Sequence, residues 1–202
     1  PEPGAHDLRF SGWDGPAINA RVYVPGKLDD HTPVVIVMHG ASRDLPRYFS
    51  DWSAQAEEQN FVAIVPHFNL EDFPGSSRYN LGHVFDPDTG APREESLWMF
   101  SAIEALFDYV TGWIGTHQAG YTLYGHSAGS QFAHRFLYFK PDARVERAIL
   151  ANAGWYTMPD FGIDFPYGLQ DSGVASEALT GYFARDVIVL LGDADMKLDE
   201  DN

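Results

Sequence analysis

The chain has 202 residues, 45% hydrophobic and 21% charged, which suits one globular domain with a sizeable core and excludes a disordered tail-like protein. A formal net charge of −16 repels phosphate backbones and anionic membranes, so nucleic acid is not an expected partner and the charge reads as a solvated surface. With no cysteine, disulfides, thiolate catalysis and Cys-ligated zinc are excluded together, and no apolar run approaches the ~20 residues needed to span a bilayer. The compartment stays open between the cytoplasm and export with a signal peptide removed ahead of Pro1.

In chain order, residues 6–11 and 17–24 read as strands joined by the turn Trp13-Asp14-Gly15-Pro16. Residues 33–38 form a continuous apolar run of strand length, as expected of a strand buried on both faces of a parallel sheet. A helix is expected over 47–59 and a second apolar strand over 61–65. Residues 66–93, rich in Gly, Pro, Asp and Asn, read as a long irregular loop, a feature usually functional or mobile in a compact domain. Phe100, Ile103, Phe107, Val110 and Ile114 then recur at helical spacing, one face of an amphipathic helix that packs on the core. A strand at 121–124 leads into a helical run over 128–139, followed by a strand at 147–152 and an irregular, aromatic-rich stretch at 152–173. A helix over 175–183, a last apolar strand at 187–191 and an acidic tail complete the chain. Short apolar strands alternating with helices predict an α/β fold with a mainly parallel sheet.

Three segments carry chemistry. Gly125-His126-Ser127-Ala128-Gly129 places G-x-S-x-G between a predicted strand and a predicted helix. A turn that sharp lifts a serine hydroxyl out of the sheet as a nucleophile, and its glycines let backbones approach where a side chain would clash. The alternative for Ser127 is a plain helix N-cap. Second, His39-Gly40-Ala41-Ser42 follows the strand ending at Met38. Acyl transfer needs two backbone N–H donors for the developing oxyanion, and Ala41 and Ala128 are the expected pair, with Gly40 turning the loop inward. His39 shapes that loop rather than acting as base. Third, Leu190-Leu191-Gly192-Asp193-Ala194-Asp195 delivers a carboxylate at the end of a strand; Asp195 fits best as the residue that orients a histidine, with Asp193 in reserve.

These segments resemble the α/β-hydrolase superfamily, the family from which the mechanics of the serine elbow are known. Within it the chain resembles the polyhydroxybutyrate depolymerase and dienelactone hydrolase-like serine esterases, on residues 34–40, 124–129, 153–159 and 190–195. The resemblance implies a single α/β-hydrolase domain with helices on both faces of the sheet, Ser127 as nucleophile, Asp195 as triad acid, and Ala41 and Ala128 as the oxyanion hole. It implies no metal and no cofactor. The expected activity is hydrolysis of a small-molecule or polymeric carboxylic ester. The rival readings are a serine peptidase or amidase on the same fold and a non-catalytic binding scaffold.

Such a serine needs a base. The eight histidines are His6, His31, His39, His67, His83, His117, His126 and His134, and none follows Asp195, where the family carries its catalytic histidine. The expectation is therefore a domain over 1–202 that is C-terminally incomplete, lacking a final strand and helix. The histidine would come from a further C-terminal segment or a second polypeptide. His67 or His83 in the long loop is the alternative source. Trp155, Tyr156 and Phe161, with Phe165 and Tyr167, are expected either to wall the acyl site or to pack their loop onto the body. Arg43 and Arg47 are expected to pair with Asp44 or Asp51, or to meet a substrate carboxylate.

Overall fold

The computed structural model describes residues 1–193. It contains a seven-stranded sheet in the order β1-β2-β4-β3-β5-β6-β7. Strands β1 (Gly4–Phe10) and β2 (Ile18–Val24) pair antiparallel, and β2 pairs antiparallel with β4 (Val62–His67). From β4 through β3 (Val34–Met38), β5 (Tyr121–His126), β6 (Val145–Ala151) and β7 (Asp186–Leu190) all pairing is parallel. The fully apolar runs in β3 and β4 become the doubly covered strands, because a strand with helices on both faces has no solvent side to leave polar.

Helix α1 (Leu45–Gln59) follows β3, and its start is encoded locally. The Asp44 carboxylate accepts from the Arg47 N–H, Pro46 sits in the first turn, and Asn60 closes the helix at φ 57°. Helix α2 (Met99–Ile114) precedes β5, α3 (Ala128–Phe139) follows it, and α4 (Ala178–Phe183) precedes β7. Alternation along the strands divides the core in two. Val35, Val37, Ala63 and Val65 pack with Phe49 and Ala56 of α1, while Val34, Ile36 and Met38 pack with α2 and α3 on the other face.

Two results go beyond the sequence pattern. Residues 68–94 hold no strand or helix, yet Phe68, Phe73, Tyr79 and Val84 are buried in the main core. The loop is thus clamped by aromatic packing rather than left loose. Helix α3 is buried at every one of its positions, including Gln131, His134 and Arg135. A helix enclosed on all sides must find internal partners for its polar groups.

Candidate active site

The turn from β5 into α3 places Ser127 at the C-terminal edge of the sheet. Its backbone sits at φ 55°, ψ −119°, a combination an L-residue holds only when its surroundings enforce it. The enforcement is steric and hydrogen-bonded. A Cβ at Gly125 would lie 2.2 Å from the Gly129 carbonyl oxygen, and one at Gly129 would lie 2.1 Å from that of Met38. The Ser127 N–H donates to the Ala151 carbonyl (2.9 Å), and its own carbonyl accepts from the Gln131 N–H (3.0 Å). Although Ser127 occupies the N-cap position of α3, its side chain makes no capping bond, so the hydroxyl is free of the role that the N-cap alternative gave it.

Ser127 and Ala128 line a cavity of about 350 Å³ with Ala41, Arg43, Tyr79, Asn80 and Gln131 among its other walls. Among the described residues, the backbone N–H groups of Ala41 and Ala128 have no hydrogen-bond partner. Both belong to residues bordering the cavity that holds the hydroxyl, and Ala128 stands at the positive end of the α3 dipole. A larger cavity, about 560 Å³, lies between the long loop and residues 164–171 and contains neither Ser127 nor either alanine. The smaller cavity is the one that the elbow serine borders.

The histidines near the site are committed elsewhere. His39 is fully buried; its Nδ1–H donates to the Gly40 carbonyl (3.1 Å) and its Nε2 accepts from the Phe68 N–H (3.1 Å). Burial, with the Arg43 cation nearby, pushes its pKa down to about 3, so it is a neutral strut of the loop after β3. His134 is held likewise, Nδ1 to the Ser130 carbonyl (3.1 Å) and Nε2 accepting from the Thr157 N–H (2.8 Å), with its pKa also pushed to about 3 by burial and then by Arg135. His126 is bonded through Nδ1 to the Tyr48 hydroxyl (2.7 Å). His67 reaches the Arg43 carbonyl (3.1 Å), and His83 is buried at φ 54°; neither borders the Ser127 cavity. Among the described residues, no histidine is hydrogen-bonded to Ser127. Asp195 lies outside the described residues, and Asp193, the last one inside them, is exposed.

Two buried cations frame the site, and the sequence had singled out only one of them. Among the described residues Arg43 pairs with no carboxylate: its guanidinium donates to the carbonyls of Phe68 (3.1 Å), Phe73 (3.4 Å) and Gly75 (3.0 Å) and lies 3.8 Å over the Tyr79 ring. Arg47, by contrast, lies on the surface 3.9 Å from Asp51. Arg135 donates to Thr157 Oγ1 (2.8 Å) and to the Asn80 and Gln131 carbonyls (3.0 and 3.2 Å), stacks over Trp155 at 4.1 Å, and is lowered to about 9 by burial. Asn80 Nδ2 donates to Gln131 Oε1 (2.6 Å), which fastens the long loop to α3 beside the nucleophile. Gln131 was findable in principle, since it stands four residues after Ser127 on the same helical face.

The aromatic stretch is arranged differently from a simple wall. Trp155 stacks on Arg135 and on Tyr167 (4.8 Å), Tyr156 packs against His134 (5.1 Å), and Phe161 is 38% exposed; none of the three borders the Ser127 cavity.

Neither a protein-family model nor a curated protein sequence matches the chain. Solved structures do. The chain is similar to poly(aspartic acid) hydrolase-1 from Sphingomonas sp. KT-1, with 40% identity and a TM-score of 0.95 over 100% of this chain and 76% of that one. It is similar to the poly(3-hydroxybutyrate) depolymerase from Bordetella parapertussis, with 29% identity and a TM-score of 0.90 over 97% of this chain and 68% of that one. A fluorophosphonate-binding serine hydrolase from Staphylococcus aureus shares the fold at 16% identity and a TM-score of 0.56, over 92% of this chain and 68% of that one. With a hydrolase 40% identical over all of this chain and 76% of its own, and a mainly parallel seven-stranded sheet, the chain belongs to the α/β-hydrolase superfamily and is an esterase-like serine hydrolase.

Proposed function

We propose that the protein hydrolyses carboxylic esters through an acyl-enzyme on Ser127. The observation that carries this reading is the uncapped Ser127 hydroxyl, held at a strained φ of 55° beside two partnerless N–H groups. Ser127 Oγ attacks the ester carbonyl as its proton passes to a base. The Ala41 and Ala128 N–H groups receive the oxyanion, the alkoxide leaves with that proton, and water then repeats the attack on the acyl-enzyme to release the acid. No metal or organic cofactor enters the scheme.

The base in this reading is a histidine that none of the chain's eight supplies, oriented by Asp195. Its source is further C-terminal polypeptide or a second chain. The apolar surface around β7 supports this, because Val189, Leu190 and Leu191 are 50%, 47% and 74% exposed at a sheet edge that would pair with added polypeptide. Two relatives are named for polymer substrates, which extends the reading to polymeric esters. One of them, named for poly(aspartic acid), favours a second reading in which the same serine cleaves amide bonds.

The test is labelling with a fluorophosphonate followed by intact-mass analysis, beside turnover of matched ester and anilide substrates. A single adduct that disappears in Ser127→Ala, with ester turnover falling at least about a thousandfold, is expected. Faster anilide than ester cleavage selects the amidase reading. Unchanged turnover in Ser127→Ala removes both, and a parent protein that gives neither an adduct nor turnover leaves the binding scaffold.

A further inference from the structure

An oxyanion hole assembled from two chain segments works only if those segments keep a fixed distance. Ala128 belongs to the β5–α3 elbow, and Ala41 to the loop between β3 and α1. We propose that Tyr48 is a positioning residue that locks the two segments together through His126. This rests on the serine reading above.

Two observations converge on its phenol. Its hydroxyl lies 2.7 Å from His126 Nδ1, on the residue immediately before the nucleophile. The same hydroxyl would stand 3.0 Å from a Cβ at Gly40, the residue immediately before Ala41, and that Cβ would lie 3.6 Å from the Ser127 Cβ. Burial also raises the Tyr48 phenol, which keeps it a neutral O–H donor. The O–H donates to the His126 imidazole while the same oxygen packs against the backbone at Gly40, so a single group touches both the loop after β3 and the elbow.

The bridge has a stiff foundation. Tyr48 is in the first turn of α1, where its N–H donates to the Asp44 carbonyl (3.2 Å) and the Asp44 side chain caps the helix. Its ring meets those of His39 (6.4 Å, 67°) and His126 (6.1 Å, 47°). The loop closes on itself through the Arg43 N–H to the Gly40 carbonyl (3.1 Å), which leaves the Ala41 N–H outside the turn and available. Tyr48 does not border the Ser127 cavity, so it acts through the backbone that carries the donors rather than on substrate.

The test combines kinetics with amide hydrogen exchange on Tyr48→Phe, His126→Leu, their double variant and His126→Asn, whose side-chain oxygen can replace Nδ1 as acceptor. Tyr48→Phe is expected to lower kcat by about 10- to 100-fold with KM nearly unchanged, because a misplaced donor weakens the transition state and not the ground state. Exchange at Arg43, whose N–H closes the loop on the Gly40 carbonyl, should quicken about tenfold, the loss of one hydrogen bond. His126→Leu should match it, the double variant should lose no more than either single one, and His126→Asn should recover most of the rate. Unaltered exchange at Arg43 in Tyr48→Phe overturns the proposal whatever the activity, as do losses that multiply in the double variant. The serine reading fails separately, on Ser127→Ala.

Discussion

Acid should unfold this protein through two histidines that never touch substrate. His39 and His134 are buried and neutral, with both ring nitrogens committed, and burial holds each pKa near about 3 against an ordinary 6.5. The sign follows from which state binds protons first. The unfolded chain protonates these rings as pH falls below 6.5, while the folded chain resists until about 3. Their contribution is therefore complete above 6.5 and is lost as pH falls through that window. Taking pH from 7.5 to 5.5 costs about 1.4 kcal/mol per histidine, or about 3 kcal/mol together, a sizeable share of the ~5–15 kcal/mol of an ordinary domain. His83, lowered to about 4 chiefly by burial, acts in the same direction. The Asp29 and Asp86 carboxyls, each lowered by hydrogen bonds from its own turn, move further below this interval. Urea unfolding at the two pH values measures the loss. Calorimetry in buffers of different ionisation enthalpy measures proton uptake on unfolding at pH 5.5, expected at about 0.9 proton for each of the two rings. Unfolding free energies that agree within about 0.5 kcal/mol, or an uptake below one proton in total, would refute the assignment of both rings as neutral struts.

Other outcomes follow from the elbow and the loop. Gly129→Ala forces a Cβ to within 2.1 Å of the Met38 carbonyl oxygen, backbone that cannot swing aside, and should cost about 3 kcal/mol or more in denaturant unfolding; a stability equal to the parent would show that the elbow is looser than drawn. Ala41→Pro deletes one oxyanion donor without touching a side chain of the site, so kcat should fall about 10²- to 10³-fold while the circular dichroism spectrum holds. The same substitution at Ser42, one residue outside the donor position, is the control, and equal losses at both would mean a disrupted loop rather than a lost donor.

The sheet was readable because its information is local. Strands β3 and β4 are apolar throughout since both faces are covered, α1 carries its cap in Asp44 and its stop in Asn60, and α2 shows its buried stripe at helical spacing. Ser127 was readable for the same reason: the glycines that the turn requires flank it within five residues. The buried loop at 68–94 looked irregular because aromatic packing onto α3 leaves no periodic trace. Tyr48, Asn80, Gln131 and Arg135 carried no motif, since each takes its place from a partner far away in the chain.

What the sequence determined by itself is thus the alternation of strands and helices and the elbow that carries Ser127, all set by period, sterics and turn chemistry over a few residues. The tertiary structure alone decided which polar groups are spent. His39 and His134 became struts because burial removed the water that would have charged them, and Arg43 became a loop anchor because three carbonyls, not Asp44, reached it first. Hydrogen bonds between distant segments settle such roles, and those distances exist only after the chain has folded.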